Sequence, residues 1–236
     1  VSLPLILVFL FFSLFRHTLP HWTGPAWTGI ILISAVYIRE KGMKKQRERL
    51  FPAVVISSLA VLIFVLVLGL MQIRGGYLYT HTSTEPEKLG EKDVSLDMYG
   101  WRQLSDEFRL VVESERKAGQ IDTDIPLISH RWFPAANIDY YLARPMGMQV
   151  LGLGSLDALH KYAWITKKRG GFEPGMDALY VTVSRDFRDP VPMYSKYFSD
   201  IERIAVIPIR RNGTHVMNAF VYHLEDMQKV PDPIIP

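Results

Sequence analysis

Leu50 to Ile73 is a run of 24 residues, LFPAVVISSLAVLIFVLVLGLMQI, without one charged side chain. Wound as an α-helix at ~1.5 Å per residue, it covers the ~30 Å hydrocarbon core of a bilayer with a little to spare. A core helix of a soluble protein shows a polar face over such a length, and this run shows none. Ser57 and Ser58 can bond back to the helix backbone and cost little in lipid. A membrane-crossing helix is therefore the first expectation, and the rest of the chain is organised around it.

The charges divide at the same place. Residues 1–73 hold seven basic side chains (Arg16, Arg39, Lys41, Lys44, Lys45, Arg47, Arg49) and two acidic ones (Glu40, Glu48). Residues 74–236 hold 20 basic and 22 acidic residues, so the formal net charge of +3 averages two unlike parts. The basic surplus lies beside apolar runs and not on a folded basic face, which argues against nucleic-acid binding. The chain has no cysteine. Disulfide scaffolds, zinc ribbons, thiol nucleophiles and iron–sulfur clusters are thereby excluded.

Two more apolar stretches precede the long one. Val1–Phe15 is apolar throughout but too short to span a bilayer, as expected of a helix cut within its length. The chain thus reads as the C-terminal part of something longer. Trp22–Ile38, opened by Gly24 and Pro25, reads as a tilted or partly re-entrant helix with Trp22 and Trp27 at the interface. Residues 1–73 are accordingly expected to form about three spans, the first truncated. Residues 39–49 (REKGMKKQRER) carry six basic side chains between two spans, the mark of a cytoplasmic loop. The loop Arg16–Gly24 and everything after Arg74 then lie on the opposite face, which in a bacterial inner membrane is the periplasm.

Residues 74–94 are Gly-, Thr- and Glu-rich without a period and read as a linker. From Asp97 the pattern changes. Trp101, Leu104, Phe108, Val111 and Val112 recur at helical spacing up to Gly119. Pro126–Ser129, Gln149–Leu153 and Ala178–Val183 read as strands. Pro134–Ala143 and a Ser155-capped stretch to about Lys168 read as helices between them. Ile201–Arg210 and Thr214–Leu224 flank Arg211-Asn212-Gly213, and Asn-Gly between two β-rich runs is a strong hairpin signal. The order predicts a small α/β domain over 95–228 with a mixed sheet and a C-terminal β-hairpin, followed by a frayed tail at 229–236.

Few motifs carry chemistry. Asp122-Thr123-Asp124 has the spacing of a metal–diphosphate DxD, but falls between a helix end and a strand, where Asp and Thr are ordinary turn residues. Gly152-Leu153-Gly154 lies between a strand and a helix; Asp157 stands where a dinucleotide fingerprint has its third glycine, so a tight turn is the better reading. His17 and His21 are spaced like helical metal ligands, but Pro20 between them argues against a continuous helix, and no metal site is expected. The loop from Arg16 to Trp27 fits two descriptions. It can be an interfacial aromatic belt with a snorkelling arginine. Alternatively Arg16, His17 and His21 can bond a lipid phosphate while Trp22 packs on its isoprenoid or sugar.

Leu19-Pro20-His21-Trp22, followed by Pro25-Ala26 and an apolar helix, resembles the late transmembrane signature of the bacterial dolichyl-phosphate-mannose-type protein mannosyltransferase and aminoarabinose-transferase group. Asp97-Met98-Tyr99-Gly100-Trp101 and the run Leu127–Leu142 resemble the entry to that group's C-terminal extracytoplasmic domain. These are GT-C class glycosyltransferases. The resemblance implies a polyprenyl-phosphate-linked sugar as donor and membrane lipid as partner, with no further cofactor and an acceptor that the sequence does not name. It implies a lipid-phosphate site at Arg16, His17, His21 and Trp22. It also places the catalytic acid in a first extracytoplasmic loop N-terminal to this sequence, so no catalytic residue is expected here. The alternative is a non-catalytic, membrane-anchored α/β module that binds a periplasmic partner or glycan.

Overall fold

The computed structural model describes residues 2–15, 24–44, 53–78 and 83–235. The chain divides into two compact units, Val1–Val67 and Leu68–Pro236. In the first, α1 (Ser2–Ser13) and α2 (Gly24–Lys44) touch one another. They are followed by α3 (Ala53–Gly75), which has no buried residue. Its two serines bond back to the helix as expected, Ser57 Oγ and Ser58 Oγ donating to the Val54 carbonyl at 3.0 and 2.8 Å.

Among the described residues one helix, α3, is long and apolar enough to cross a membrane. The expected three spans are thus reduced to one here. α1 has 12 residues, about 18 Å of helix. α2 is a continuous helix, but Arg39, Glu40 and Lys41 fall in its last turns, so its uncharged part stops short of the ~30 Å required.

The second unit holds α4 (Trp101–Lys117), β1 (Leu127–Ser129), α5 (Trp132–Asn137), β2 (Val150–Gly152), α6 (Leu156–Leu159), α7 (Tyr162–Lys168), β3 (Ala178–Val183), α8 (Pro190–Tyr194), β4 (Phe198–Arg211) and β5 (Thr214–Met227). The sheet order is β2-β1-β3-β5-β4. β1 runs parallel to β2 and β3, and β5 runs antiparallel to β3 and β4. The expected α/β domain with a mixed sheet and a closing hairpin is therefore present. At the turn, Asn212 and Gly213 have φ of +50° and +79°, the left-handed pair that a tight two-residue hairpin requires.

Strand alternation divides the core. Leu179, Val181, Ala219 and Val221 face one side, with Trp101, Leu104, Phe108 and Val112 of α4. Tyr180, Phe220, Tyr222 and Leu224 face the other, with Tyr194 and Phe198. β3 is buried along nearly all its length, which is why it reads as an unbroken apolar run.

Four local expectations are corrected. The helix expected from Ser155 to Lys168 is two short helices, broken at His160, whose φ is +49° and ψ −123°, and the Ser155 side chain makes no cap bond. The helix expected over Pro134–Ala143 begins at Trp132 and passes into a π-helical turn at Ile138–Ala143. The tail is not frayed in its described part, since Ile235 packs into the core. The stretch 74–94 is structured wherever it is described. Asn218 Nδ2 donates to the Pro86 carbonyl at 3.0 Å, Ser184 Oγ donates to the Leu89 carbonyl at 2.5 Å, and Asp93 is buried.

Asp93 pairs with Arg211 at the end of β4, and both side chains are 1% exposed. Arg211 Nη1 donates to Ser95 Oγ at 2.9 Å and to the Ile73 carbonyl at 3.3 Å. Ser95 N and Oγ both donate to Asp93 Oδ1, at 3.0 and 2.5 Å. Burial alone would raise the Asp93 pKa; the bonds from Ser95 and Arg211 outweigh it and hold the carboxyl below its ordinary range. The guanidinium lies 5.5 Å from the Tyr99 ring centre, and Asn212 Nδ2 donates to the Gly75 carbonyl at 3.4 Å. The hairpin turn thus supplies donors, one of them cationic, to the last carbonyls of α3, where a helix leaves them unpaired. Removing one partner strands a buried charge. Arg211→Ala should lower stability by about 3–5 kcal/mol, and the double variant Asp93→Leu/Arg211→Met should recover much of it. Chemical denaturation of the three proteins measures both.

Candidate functional site

Order β2-β1-β3 means that the chain leaves β1 toward one neighbour and returns past it to the other. In parallel sheets a crevice opens outside the carboxyl ends at such a reversal, and ligands favour it. Here β1 ends into His130-Arg131, and β3 ends into Ser184–Arg188. Two short strands side by side thus bring His130, Arg131, Arg185, Asp186 and Arg188 to one edge.

Asp186 is the centre of the cluster. It pairs with Arg131, and Arg188 Nη2 lies 3.7 Å from its other oxygen. Arg185 reaches Asp97 at 3.4 Å and donates through Nε to the Asp93 carbonyl at 3.1 Å. Tyr180 Oη lies 3.3 Å from both His130 Nδ1 and the Arg188 carbonyl. The phenol has one proton. Given to the carbonyl, it leaves Oη to accept from His130 Nδ1–H, and Nε2 is then a bare acceptor. Nε2 of His130 and Nε of Arg131 are both buried with no hydrogen-bond partner. The cleft beside them, lined by Asp97, Trp101, Phe133, Thr182 and Asp186, encloses about 20 Å³. That is the space of one water.

Burial first, then the Arg131 and Arg188 charges, push the His130 pKa down to about 4. The ring is therefore neutral at pH 7 and a weak base. Burial also lowers the Arg131 pKa and raises that of Tyr180, which stays a phenol. The hydroxyls nearby are committed to backbone: Ser129 Oγ donates to the Arg131 carbonyl and Ser184 Oγ to that of Leu89. The arrangement presents donors, an acceptor and partly exposed ion pairs. It suits binding, and no nucleophile stands against a base in it.

The residues singled out from sequence fare differently. Arg16, His17, His21 and Trp22 lie outside the described residues. Asp122 and Asp124 are exposed in the turn after α4, where Arg116 holds the Thr123 carbonyl. Among the described residues no group of three or more His, Asp or Glu side chains is set to hold a metal. The Gly152 and Leu153 amides are directed inward. Gly152 N donates to Thr166 Oγ1 at 2.6 Å and Leu153 N to the Ser129 carbonyl at 2.9 Å. A Cβ on Gly154 would stand 2.7 Å from the His130 carbonyl, so that glycine serves the close approach of two loops. His130 and the Arg185–Arg188 cluster were not singled out. The available signal was charge immediately after apolar strands, at Ser129-His130-Arg131 and at Ser184-Arg185-Asp186.

No family model, curated protein or solved structure matches this chain.

A histidine held neutral in the fold but free to protonate in the unfolded chain makes stability fall with pH. The unfolded state binds the extra proton, so the loss begins near the ordinary histidine pKa of ~6.5 and is complete below about 4. The melting temperature should drop across that window, and His130→Gln should flatten this part of the profile. Thermal melts from pH 7.5 to 3.5 on both proteins check it.

Proposed function

We propose that this chain is the C-terminal part of an integral-membrane glycosyltransferase. It would transfer a sugar from a polyprenyl-phosphate donor to an acceptor on the periplasmic face of a bacterial inner membrane. The observation that carries the reading is α3: a helix of 23 residues with no buried side chain, continuous in sequence with an α/β domain. The Leu19-Pro20-His21-Trp22 signature supports the choice of enzyme class. In this reading α1 and α2 complete, with residues N-terminal to Val1, the spans of a multi-pass membrane domain. Arg16, His17, His21 and Trp22 meet the lipid phosphate. The acid that deprotonates the acceptor comes from the preceding sequence, and charge on the departing phosphate is neutralised by the cationic loop.

The second reading, a membrane-anchored module without catalysis, is favoured by the β1/β3 edge. That edge gathers binding groups around a neutral histidine and offers no nucleophile–base pair. In the enzyme the same edge is a place for acceptor recognition.

Two measurements test these readings. The basic cluster at Lys41–Arg49 sets orientation, so a reporter active only outside the cytoplasm should give signal when fused after residue 236 and none at residue 45. The reverse pattern would overturn the topology. In the full-length enzyme, Trp22→Ala should weaken polyprenyl-phosphate donor binding by roughly ten- to a hundredfold, the loss of ~1–3 kcal/mol of packed aromatic surface. Donor affinity per folded molecule checks this. An unchanged affinity with lower expression would make Trp22 an interfacial anchor.

A further inference from the structure

Residues from Leu68 onward, the last turns of α3 included, belong to the second unit. Where that helix end meets the rest of the unit, four large apolar side chains stand uncovered. Tyr77 and Leu78 are 72% and 78% exposed, and Val94 and Met98 are 62% and 72% exposed. Single exposed apolar side chains are ordinary on a protein surface, but several at one place mark a contact. We propose that this face lies on the bilayer from which α3 emerges, with the four side chains in the boundary between headgroups and acyl chains. The proposal rests on the reading of α3 as a membrane span.

The end of α3 selects lipid as the partner. The apolar run stops at Ile73, and Arg74 is the first charge after it, so the edge of the hydrocarbon falls at that turn. A free linker there would let the folded residues stand at any height, but none separates them from the helix. Gly76 N donates to the Gln72 carbonyl at 2.8 Å, and Leu78 N donates to Gln72 Oε1 at 3.0 Å. The chain therefore turns back on leaving the helix, and Leu78 is held beside the last apolar turn. The Tyr77 ring packs so close to Gly75 that a Cβ on that glycine would overlap it. A tyrosine against the helix end, three residues after an arginine, is a pair of anchors suited to headgroup level.

The same helix end carries the second pair. Arg211 Nη1 donates to both the Ile73 carbonyl and Ser95 Oγ, and Arg211 Nη2 pairs with Asp93. Val94 lies between Asp93 and Ser95, and Met98 ends the short 3₁₀ helix Val94–Met98. Asp93, Ser95 and Leu96 are buried, whereas Val94 and Met98 point outward. The shared guanidinium thus sets Val94 beside the point where α3 leaves the membrane. Moving apolar surface from water into acyl chains is favourable, and a span supplies acyl chains at this point. A protein partner would have to displace lipid already there.

The chain has no cysteine, so single cysteines report position without background. Leu66→Cys in α3, Leu78→Cys, Val94→Cys, Met98→Cys and Val191→Cys each carry a nitroxide in the full chain, reconstituted in nanodiscs of phosphatidylcholine and phosphatidylglycerol. All five positions are exposed, so labelling leaves the core intact. Power saturation compares collisions with oxygen, which concentrates in acyl chains, and with a water-soluble nickel chelate. Val191 in α8 lies just before β4, at the far end of roughly 40 Å of strand from Arg211. The oxygen-to-nickel ratio at Leu78, Val94 and Met98 should fall between those of Leu66 and Val191, and several-fold above the latter. Ratios at Val94 and Met98 equal to that of Val191, with Leu66 deep in hydrocarbon, would overturn the docking and leave the span. A Leu66 label open to nickel would overturn the span and the docking with it. Labels at Val94 and Met98 shielded from both reagents would make the partner a protein, whether a second copy or another chain, and would also overturn the proposal.

Discussion

One buried ion pair fixes where the parts of the second unit meet. Arg211 closes the first strand of the hairpin, Asp93 ends the segment arriving from the apolar helix, and neither reaches water. Two desolvated charges rarely add much net stability over an apolar pair. What they add here is position. The guanidinium touches Asp93, Ser95, the Ile73 carbonyl and the Tyr99 ring. Two segments, the end of α3 and residues 93–99, each over a hundred positions from Arg211, are thereby brought to one cation. Gly76, at φ +68°, lies so close that a side chain there would overlap the guanidinium. The exit of α3 is built around this group.

The same pair shows why the packing of 74–94 escaped the sequence. Its residues are polar, aperiodic and rich in turn formers, the composition of a free linker. Its order comes from partners over a hundred positions away, such as Asn218 for Pro86 and Arg211 for Asp93. Elements with their own signal were legible. Ala178–Val183 matches residue for residue, and Asn212-Gly213 is the hairpin turn. The 155–168 helix was legible in kind but not in continuity, because nothing in Leu159-His160-Lys161 announces a left-handed histidine. Among the described residues only α3 has enough uncharged length to be a candidate span; α1 and α2 are apolar helices with shorter uncharged stretches.

The β1/β3 edge was invisible for a different reason. His130 and Arg188 become neighbours only once β1 is placed between β2 and β3, and three-residue strands give too little pattern to settle strand order. Once order is known, much of the chemistry follows. Burial and two arginines keep the histidine neutral, and Asp186 bridges the arginines.

Among the described residues β4 has a neighbour on one side only, and at 14 residues it is long for an outer strand. Such a strand invites a second molecule to add itself to the sheet. Two register shifts against β5, at Arg203/Ala205 and Ile209/Arg210, twist it locally. Pro208 removes one donor, and Asp200, Glu202, Arg203 and Arg210 place charge along it. These features break the row of free amides into pieces too short to template a fibril. Edge-to-edge addition of a second copy along β4 is thereby disfavoured.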